Sequence, residues 1–271
     1  MSQEFTVATA NTKLGHMVRI NGGLEPVADV DVLLLQEVHP DRDDLESRLH
    51  TETDLELAIS AGGLGLAIAV HKDLPITGTD EARFIERGRF SRFAVCHLGE
   101  ENIAGFRMRA RGVLSATVEL DEQSVEFMSV HAPVAFYPPG RRLYNQRFAD
   151  MMSSLPPDHP IIVGGDWNSW PRASRHDKEI RERASLLTVD LQGQSTFCTD
   201  GTIFENISNG IQRLAPLAER AGIDPAYFSW DGELDALLYR NSDDGVDIEV
   251  VQSEVVPTLS DHGAILATFE L

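Results

Sequence analysis

The chain has 271 residues, with 43 acidic against 23 basic side chains, a formal net charge of −20 and 42% hydrophobic residues. This apolar content suits a globular protein with a sizeable core, and no linker or repeat divides the sequence, so we expect one domain over residues 1–271. No apolar run is long enough to span a membrane, the N-terminus lacks a leader pattern, and two cysteines argue against a disulfide framework. The sequence predicts a cytoplasmic, monomeric protein without membrane insertion.

The charge is unevenly distributed along the chain. A uniformly negative surface would repel nucleic acid and anionic membranes. Between Arg83 and Arg111, however, seven arginines stand against three glutamates, and Arg141, Arg142 and Arg147 form a second basic cluster. These arginines are open to two interpretations, a basic patch for a phosphate-bearing ligand or surface side chains that pair with the abundant acids.

The hydrophobic pattern predicts many strands and few helices. Alternating or continuous apolar residues predict strands, and longer periodic stretches predict helices. The predicted strands are Glu4–Thr9, Asp31–Leu35, Leu64–Val70, Val113–Leu120, Val125–Val130, Pro160–Val163, Leu234–Tyr239, Ile248–Val251 and Ala264–Phe269. The predicted helices are Asp41–Leu49, Arg141–Ser153, Lys178–Leu187 and Ile211–Ala221. This order is too irregular for simple βαβ repeats and favours an α/β sandwich of two sheets with helices outside.

The most informative segment follows the apolar strand Ile161–Val163. Two glycines, Gly164 and Gly165, lead into Asp166 and Asn168. Residues two apart on a strand point the same way, so an acid and an amide are presented at one spot. Glycine at this position allows another backbone or a ligand to come close.

Other predicted strands also begin or end in polar side chains. Each has an ordinary structural explanation, namely a turn residue, a solvated strand end, a satisfied histidine or an ion pair. Taken together they favour a shared site, because one site explains oxygen and imidazole groups at so many strand ends better than separate structural roles do. The residues are Asn11, Glu37, His131, Asp235, Asp261 and His262.

This ordered series resembles the endonuclease/exonuclease/phosphatase superfamily of DNase I-like metal-dependent phosphoesterases, over nearly the whole chain. The resemblance implies an α+β four-layer sandwich, in which two mixed, mostly antiparallel sheets pack face to face with helices outside. It also implies a hydrolase acting on phosphoester bonds. The stretches that carry it are 8–11, 35–37, 129–133, 165–168, 234–235 and 260–262.

The resemblance implies a metal site and a water-activating group. Glu37 would be the principal ligand of a divalent metal, with Asn11 and Asp261 completing an oxygen-rich site. Oxygen ligands suit Mg²⁺ or Mn²⁺. Asp166 would orient or deprotonate the attacking water, and Asn168 would hold that water or a phosphate oxygen.

The resemblance also assigns the histidines. His131 and His262 would bind phosphoryl oxygens as charge develops, and Asp235 would orient His262 and favour its protonated form. Apurinic endonucleases of this superfamily usually carry Tyr where His131 stands, which argues against a role in abasic-site repair. Trp167 replaces the commoner Phe of the motif, and we interpret this as a variation in packing.

Three functions stay open at this point. The first is a nuclease-like phosphodiesterase acting on nucleic acid, which the layout from Val130 to Asn168 slightly favours. The second is a phosphoesterase for a small nucleotide, sugar phosphate or lipid headgroup, which the acidic charge favours. The third is a binding module that kept the fold. Candidate substrate-binding residues are Arg111, Arg141 and Tyr137.

Overall fold

The computed structural model describes most of the chain. The described residues are 3–13, 15–38, 42–86, 110–133, 138–156, 158–168, 180–192, 194, 196, 235–243, 245–260 and 262–271. Two candidate site residues, Tyr137 and Asp261, lie outside them, as does the predicted helix Ile211–Ala221.

Strands in the described residues form two six-stranded sheets. The first sheet consists of β1 (Glu4–Asn11), β2 (Val32–Gln36), β3 (Leu55–Ala61), β4 (Leu66–His71), β11 (Glu249–Val256) and β12 (Ala264–Glu270). The second consists of β5 (Ile76–Ile85), β6 (Arg111–Leu120), β7 (Gln123–His131), β8 (Ile161–Asp166), β9 (Leu187–Thr188) and β10 (Asp235–Arg240). In the described residues, the helical segments are α1 (His16–Arg19), a 3-10 turn (Glu25–Val27), α2 (Arg42–Glu52), α3 (Pro138–Ser154) and residues 180–183.

Each sheet is mostly antiparallel with one parallel pair near its centre. The strand orders are β11-β12-β1-β2-β4-β3 and β5-β6-β7-β8-β10-β9. The parallel pairs are β1 with β2 and β7 with β8. Strands of a parallel pair end at the same edge, so side chains at those ends become neighbours.

The sheets pack face to face and bury a continuous apolar interior that includes Leu34, Leu114 and Ile162. On the outer face of the first sheet, Met17 of α1 and Leu45 of α2 complete a second apolar cluster. A third cluster forms where Tyr144, Phe148 and Met152 of α3 cover the second sheet. The four-layer sandwich expected from the resemblance is therefore confirmed.

The sequence pattern located most of the described strands and missed three, β3, β5 and β9. β5 is an edge strand rich in exposed polar residues, so it lacks the apolar run on which strand prediction relies. The predicted helix Lys178–Leu187 is helical at 180–183 and gives way to β9 at Leu187. Among the described residues, none of the helices combines the length and the apolar character that crossing a membrane requires.

Candidate active site

Strand register brings the predicted catalytic side chains together. In the second sheet, Asp166 at the end of β8 is paired with His131 of β7 on one side and with Asp235 of β10 on the other. In the first sheet, Asn11 at the end of β1 is paired with Gln36, and Glu37 follows directly. Residues from strands far apart in sequence therefore share one end of the sandwich.

The two glycines of β8 are required by close packing. A Cβ on Gly164 would lie 2.7 Å from Leu34 Cδ1 and 2.9 Å from Thr9 Cβ, both in the first sheet. A Cβ on Gly165 would lie 2.0 Å from the Val130 carbonyl oxygen. Only glycine lets β8 lie this close to both neighbours, and this closeness places Asp166 against the first sheet.

Asp166 is buried and held by several contacts. Asn11 Nδ2 donates to Asp166 Oδ2 at 3.1 Å, and the backbone N–H of Asn168 donates to Oδ1 at 2.8 Å. The pKa of Asp166 is raised to about 7, mainly by burial. The negative charges of Asp235 and Glu37 also raise this pKa, whereas His262 and the hydrogen bond from the Asn168 N–H lower it. A pKa near neutrality suits a group that exchanges a proton with water.

Asp235 and His262 form a close pair. His262 Nδ1 lies 2.7 Å from Asp235 Oδ2, and both side chains are buried. Thr196 holds the strand ends that carry them, because its hydroxyl accepts from the Asp235 N–H at 3.2 Å and its carbonyl accepts from the Gly263 N–H at 2.7 Å. With Nδ1 directed at the carboxylate, Nε2 is the ring atom that would face a phosphoryl oxygen.

His131 lies between an acidic and a basic neighbour. Its Nε2 is 3.4 Å from Asp166 Oδ2 and 3.9 Å from Glu37 Oε1, and its Nδ1 is 3.5 Å from Arg111 Nη1. Arginine only donates, so a hydrogen bond at Nδ1 requires the lone pair there and the proton on Nε2. Arg111 therefore lies next to the site, where it contacts His131.

Two site residues adopt a left-handed backbone that side chains other than glycine seldom take. Glu37 has φ of 56° and Asn168 has φ of 48°. Asn168 Nδ2 donates to the Ala132 carbonyl at 2.9 Å, which ties the end of β8 to the end of β7. Such conformations concentrate at functional sites, where surrounding contacts maintain them.

Arg141, a predicted substrate-binding residue, contacts backbone carbonyls next to the site. Its side chain is buried, and Nη1 donates to the Pro133 carbonyl at 2.9 Å and also to the Trp167 carbonyl. The guanidinium therefore joins the segments that follow His131 and Asp166. Trp167 packs edge-to-face on Phe148, with ring centroids 5.2 Å apart, as its interpretation as a packing residue requires.

The donor groups in this site fit a divalent cation. Ligand atoms of Asp166, Asp235 and His262 lie within 4.8 Å of one another. Among the described residues, Asp235 Oδ1 is buried and has no hydrogen-bond partner. Buried carboxylates without a compensating charge are costly, so a cation would stabilise them. This cluster differs from the predicted ligand set, in which Glu37 and Asn11 are described and Asp261 is not.

A sequence comparison places the chain in a family. The sequence pattern of the Endonuclease/Exonuclease/phosphatase family matches residues 11–262, so the chain belongs to this family. A comparison with curated protein sequences gives no match. Members of the family are divalent-metal-dependent hydrolases acting on phosphoester bonds, and this chain is accordingly a phosphoester hydrolase.

Solved structures share the fold at low sequence identity. A Bacteroides thetaiotaomicron protein of the same family has a TM-score of 0.66 at 13% identity, with 100% of this chain and 99% of that chain covered. TDP2 from D. rerio, described in complex with a single-strand DNA product, has a TM-score of 0.65 at 13% identity, with 98% and 99% covered. A family protein from Leptotrichia buccalis has a TM-score of 0.62 at 16% identity, with 98% and 100% covered.

Proposed function

We propose that this chain is a single-domain, divalent-metal-dependent phosphodiesterase that hydrolyses its substrate by direct attack of water. The observation that carries the proposal is the arrangement of His131, Asp166 and Asp235 in register on three neighbouring strands. Asp166 is additionally bound by Asn11 from the opposite sheet. Such a convergence of carboxylate, amide and imidazole from both sheets is what phosphoester hydrolysis needs.

Asp166 is the group that takes a proton from the attacking water. The Asn168 N–H and Asn11 Nδ2 bind its two oxygens and fix the plane of the carboxylate. A pKa of about 7 makes Asp166 a stronger base than an ordinary aspartate and leaves it ionised in a large fraction of molecules near neutral pH.

His262 and His131 stabilise the charge that develops on the phosphoryl oxygens. Asp235 holds the His262 ring through Nδ1 and favours its protonated form. His131 carries its proton on Nε2 when Arg111 donates to Nδ1, and Nε2 is the nitrogen nearer to Asp166 and Glu37. Both rings can therefore donate to an oxygen placed above Asp166.

Glu37, Asn11 and Asp261 would hold a Mg²⁺ or Mn²⁺ ion. The Glu37 side chain is 26% exposed, so it can reach a cation at the mouth of the site. The amide oxygen of Asn11 accepts from the Lys13 N–H at 2.9 Å and has a second lone pair for a cation. When bound, the ion would polarise the phosphoryl oxygen and stabilise the leaving group.

A nucleic acid is the favoured substrate class. One structural relative, TDP2 from D. rerio, is described with a single-strand DNA product, and its fold covers nearly all of this chain. Arg111 lies next to His131, where its charge would attract a phosphate. A small phosphoester is the second candidate, because the net charge of −20 opposes binding of a long polyanion.

The test is metal-dependent turnover on both substrate classes. The wild-type protein is incubated with Mg²⁺ or Mn²⁺ and single-stranded DNA, duplex DNA, RNA or a panel of small phosphoesters, with and without chelator. We expect oligonucleotide cleavage that chelator abolishes and that falls steeply with added salt. Turnover confined to small esters supports the second candidate, and no turnover on any substrate contradicts both.

The variant Glu37→Gln tests the metal assignment. We expect it to weaken Mn²⁺ binding and activity together, because a neutral amide is a poorer cation ligand than a carboxylate. Glu119→Gln is the matched control, since Glu119 is an exposed acid at the other end of β6 from Arg111. Wild-type Mn²⁺ affinity in Glu37→Gln would show that Glu37 is not a ligand.

A further inference from the structure

Three buried polar side chains cross the otherwise apolar space between the two sheets. They are Thr9 on β1, Gln36 on β2 and Ser129 on β7, which we call the Gln36 bridge. The exposed fractions are 1%, 0% and 0%, so water does not reach them. Their neighbours in the interior, such as Leu34, Leu114 and Phe127, are apolar.

Gln36 is the centre of this bridge. Its Nε2 lies 3.1 Å from Thr9 Oγ1 within the first sheet, 3.1 Å from Ser129 Oγ in the second sheet and 3.0 Å from the Leu34 carbonyl of its own strand, so two N–H groups are shared among three acceptors. The Ser129 hydroxyl donates back to the Leu35 carbonyl at 2.9 Å. Two hydrogen bonds therefore connect β2 directly to β7 across the interior, and a third connects β2 to β1.

Each bridge residue lies one or two positions before a residue of the candidate site. Thr9 and Ser129 lie two positions before Asn11 and His131, on the same faces of their strands, and Gln36 is adjacent to Glu37. A strand advances only about 3.3 Å per residue, so a fixed bridge also fixes the positions of these strand ends relative to one another.

Energetics argue that the bridge is not kept for stability. A buried hydrogen bond contributes only about 0.5–1.5 kcal/mol net, and replacing both of its partners by apolar groups of the same shape can be nearly neutral or stabilising. An apolar interface, however, offers no directional contact that opposes small shifts of one sheet along the other. Directional hydrogen bonds next to the candidate site would oppose such shifts.

We propose that the Gln36 bridge is a positioning device that holds Glu37 in register with His131 and thereby sets the affinity of the site for its cation. This inference rests on the proposed function, because it concerns the same metal site. Glu37 needs such support, since its left-handed backbone, with φ of 56°, is a conformation that an unsupported glutamate would leave.

The test replaces the bridge with apolar side chains in the variant Thr9→Val/Gln36→Leu/Ser129→Ala. Mn²⁺ affinity is measured directly by calorimetric titration, well below the melting temperature, and Tm is measured on the same samples. We expect a Tm equal to or above that of the wild type, with Mn²⁺ binding about ten-fold to a hundred-fold weaker. Weaker Mn²⁺ binding without a loss of Tm would show positioning, because a bridge that only stabilised the fold would lower Tm when it is removed.

Ser242→Ala is the matched control. Ser242 is also buried and its hydroxyl accepts from the Val246 N–H at 3.0 Å, but it follows the opposite end of β10 from Asp235. We expect this variant to lose some stability and to keep wild-type Mn²⁺ affinity.

The outcomes separate the inference from the proposed function. Wild-type Mn²⁺ affinity in a folded triple variant overturns the inference alone. If the triple variant does not fold, Mn²⁺ affinity is measured on Ser129→Ala, which removes only one hydroxyl. A wild-type affinity in this variant overturns the inference. If the wild-type protein itself does not bind Mn²⁺ or Mg²⁺, the proposed function fails and the inference fails with it.

Discussion

The interior between the two sheets has two ends of different character. At one end Phe5 stacks on Phe269 at 5.6 Å and meets Phe127 edge-to-face at 6.2 Å, while Tyr239 meets Phe269 at 5.9 Å. We call these four residues the aromatic end. At the other end the sheets are joined by the hydrogen bonds of the Gln36 bridge, next to the candidate site.

The same strands contribute to both ends. β1 begins beside Phe5 and finishes at Asn11, and β10 begins at Asp235 and reaches Tyr239 near its finish. Aromatic side chains bury large apolar areas and dominate core energetics, whereas buried polar groups contribute little or oppose folding. The aromatic end therefore stabilises the sandwich. The end that carries the Gln36 bridge and the candidate site, which we call the site end, contributes geometry more than stability.

The largest expected effect comes from the aromatic end. Phe269→Ala should lower the free energy of unfolding by about 3–5 kcal/mol, because it removes a fully buried ring that contacts Phe5 and Tyr239. Chemical denaturation measures this loss. Below the new melting temperature, Mn²⁺ affinity should stay at the wild-type value, since Phe269 is near the other end of β12 from His262.

Ile76→Ala is the control for Phe269→Ala. Ile76 is an apolar side chain on β5 that is 41% exposed, so its removal should cost much less. A drop in Mn²⁺ affinity in folded Phe269→Ala would show that the two ends are not separable in the way we describe.

The sequence allowed prediction of the strand ends but not of the contacts between sheets. Asp166, Asp235 and His131 follow or begin short apolar runs, so their positions could be read from local pattern. Thr9, Gln36 and Ser129 lie in the stretches that carry the resemblance, but in the local pattern each is only a polar residue within an apolar run or at its end. Their pairing depends on how two sheets face each other, which no local pattern encodes.

Arg141 and Thr196 show the same limit for side-chain direction. The charge of Arg141 predicts a phosphate contact, but that charge alone could not predict its hydrogen bonds to the carbonyls of Pro133 and Trp167. Thr196 carries no motif, and its contacts with Asp235 and Gly263 appear only when β10 and β12 are placed in space.

The next expected effect concerns the stability cost of the site end. The pKa of Asp166 is about 7 in the folded protein and near its ordinary value of 3.8 when unfolded. The folded state therefore binds the proton more tightly, so in the metal-free protein this group's contribution makes stability fall as pH rises from about 4 to about 7. Asp166→Asn removes this fall.

Metal-free Asp166→Asn should exceed the wild type in stability at pH 8 by on the order of 4 kcal/mol, and the difference should vanish towards pH 4. Denaturation in chelator across this pH range measures it. Asp158→Asn, at an acid whose side chain is 48% exposed, is the control. A constant difference between Asp166→Asn and the wild type across pH would contradict the assigned pKa.

The smallest of these effects, in free energy, is on the rate. His262 is not in the proposed ligand set of Glu37, Asn11 and Asp261, so His262→Ala should keep wild-type Mn²⁺ affinity, whereas weaker binding would favour the cluster of Asp166, Asp235 and His262 as the cation site. The variant should lower kcat about a hundred-fold or more, close to 2.7 kcal/mol of transition-state stabilisation, because one charge-stabilising donor is lost. His159→Ala, at a histidine whose side chain is 44% exposed, is the matched control and should leave the rate unchanged. A rate near wild type in His262→Ala would remove the histidine from the mechanism and leave its pair with Asp235 as a structural contact. The site end would then resemble the aromatic end in one respect, because the contact between His262 and Asp235 would stabilise the fold and would not contribute to catalysis.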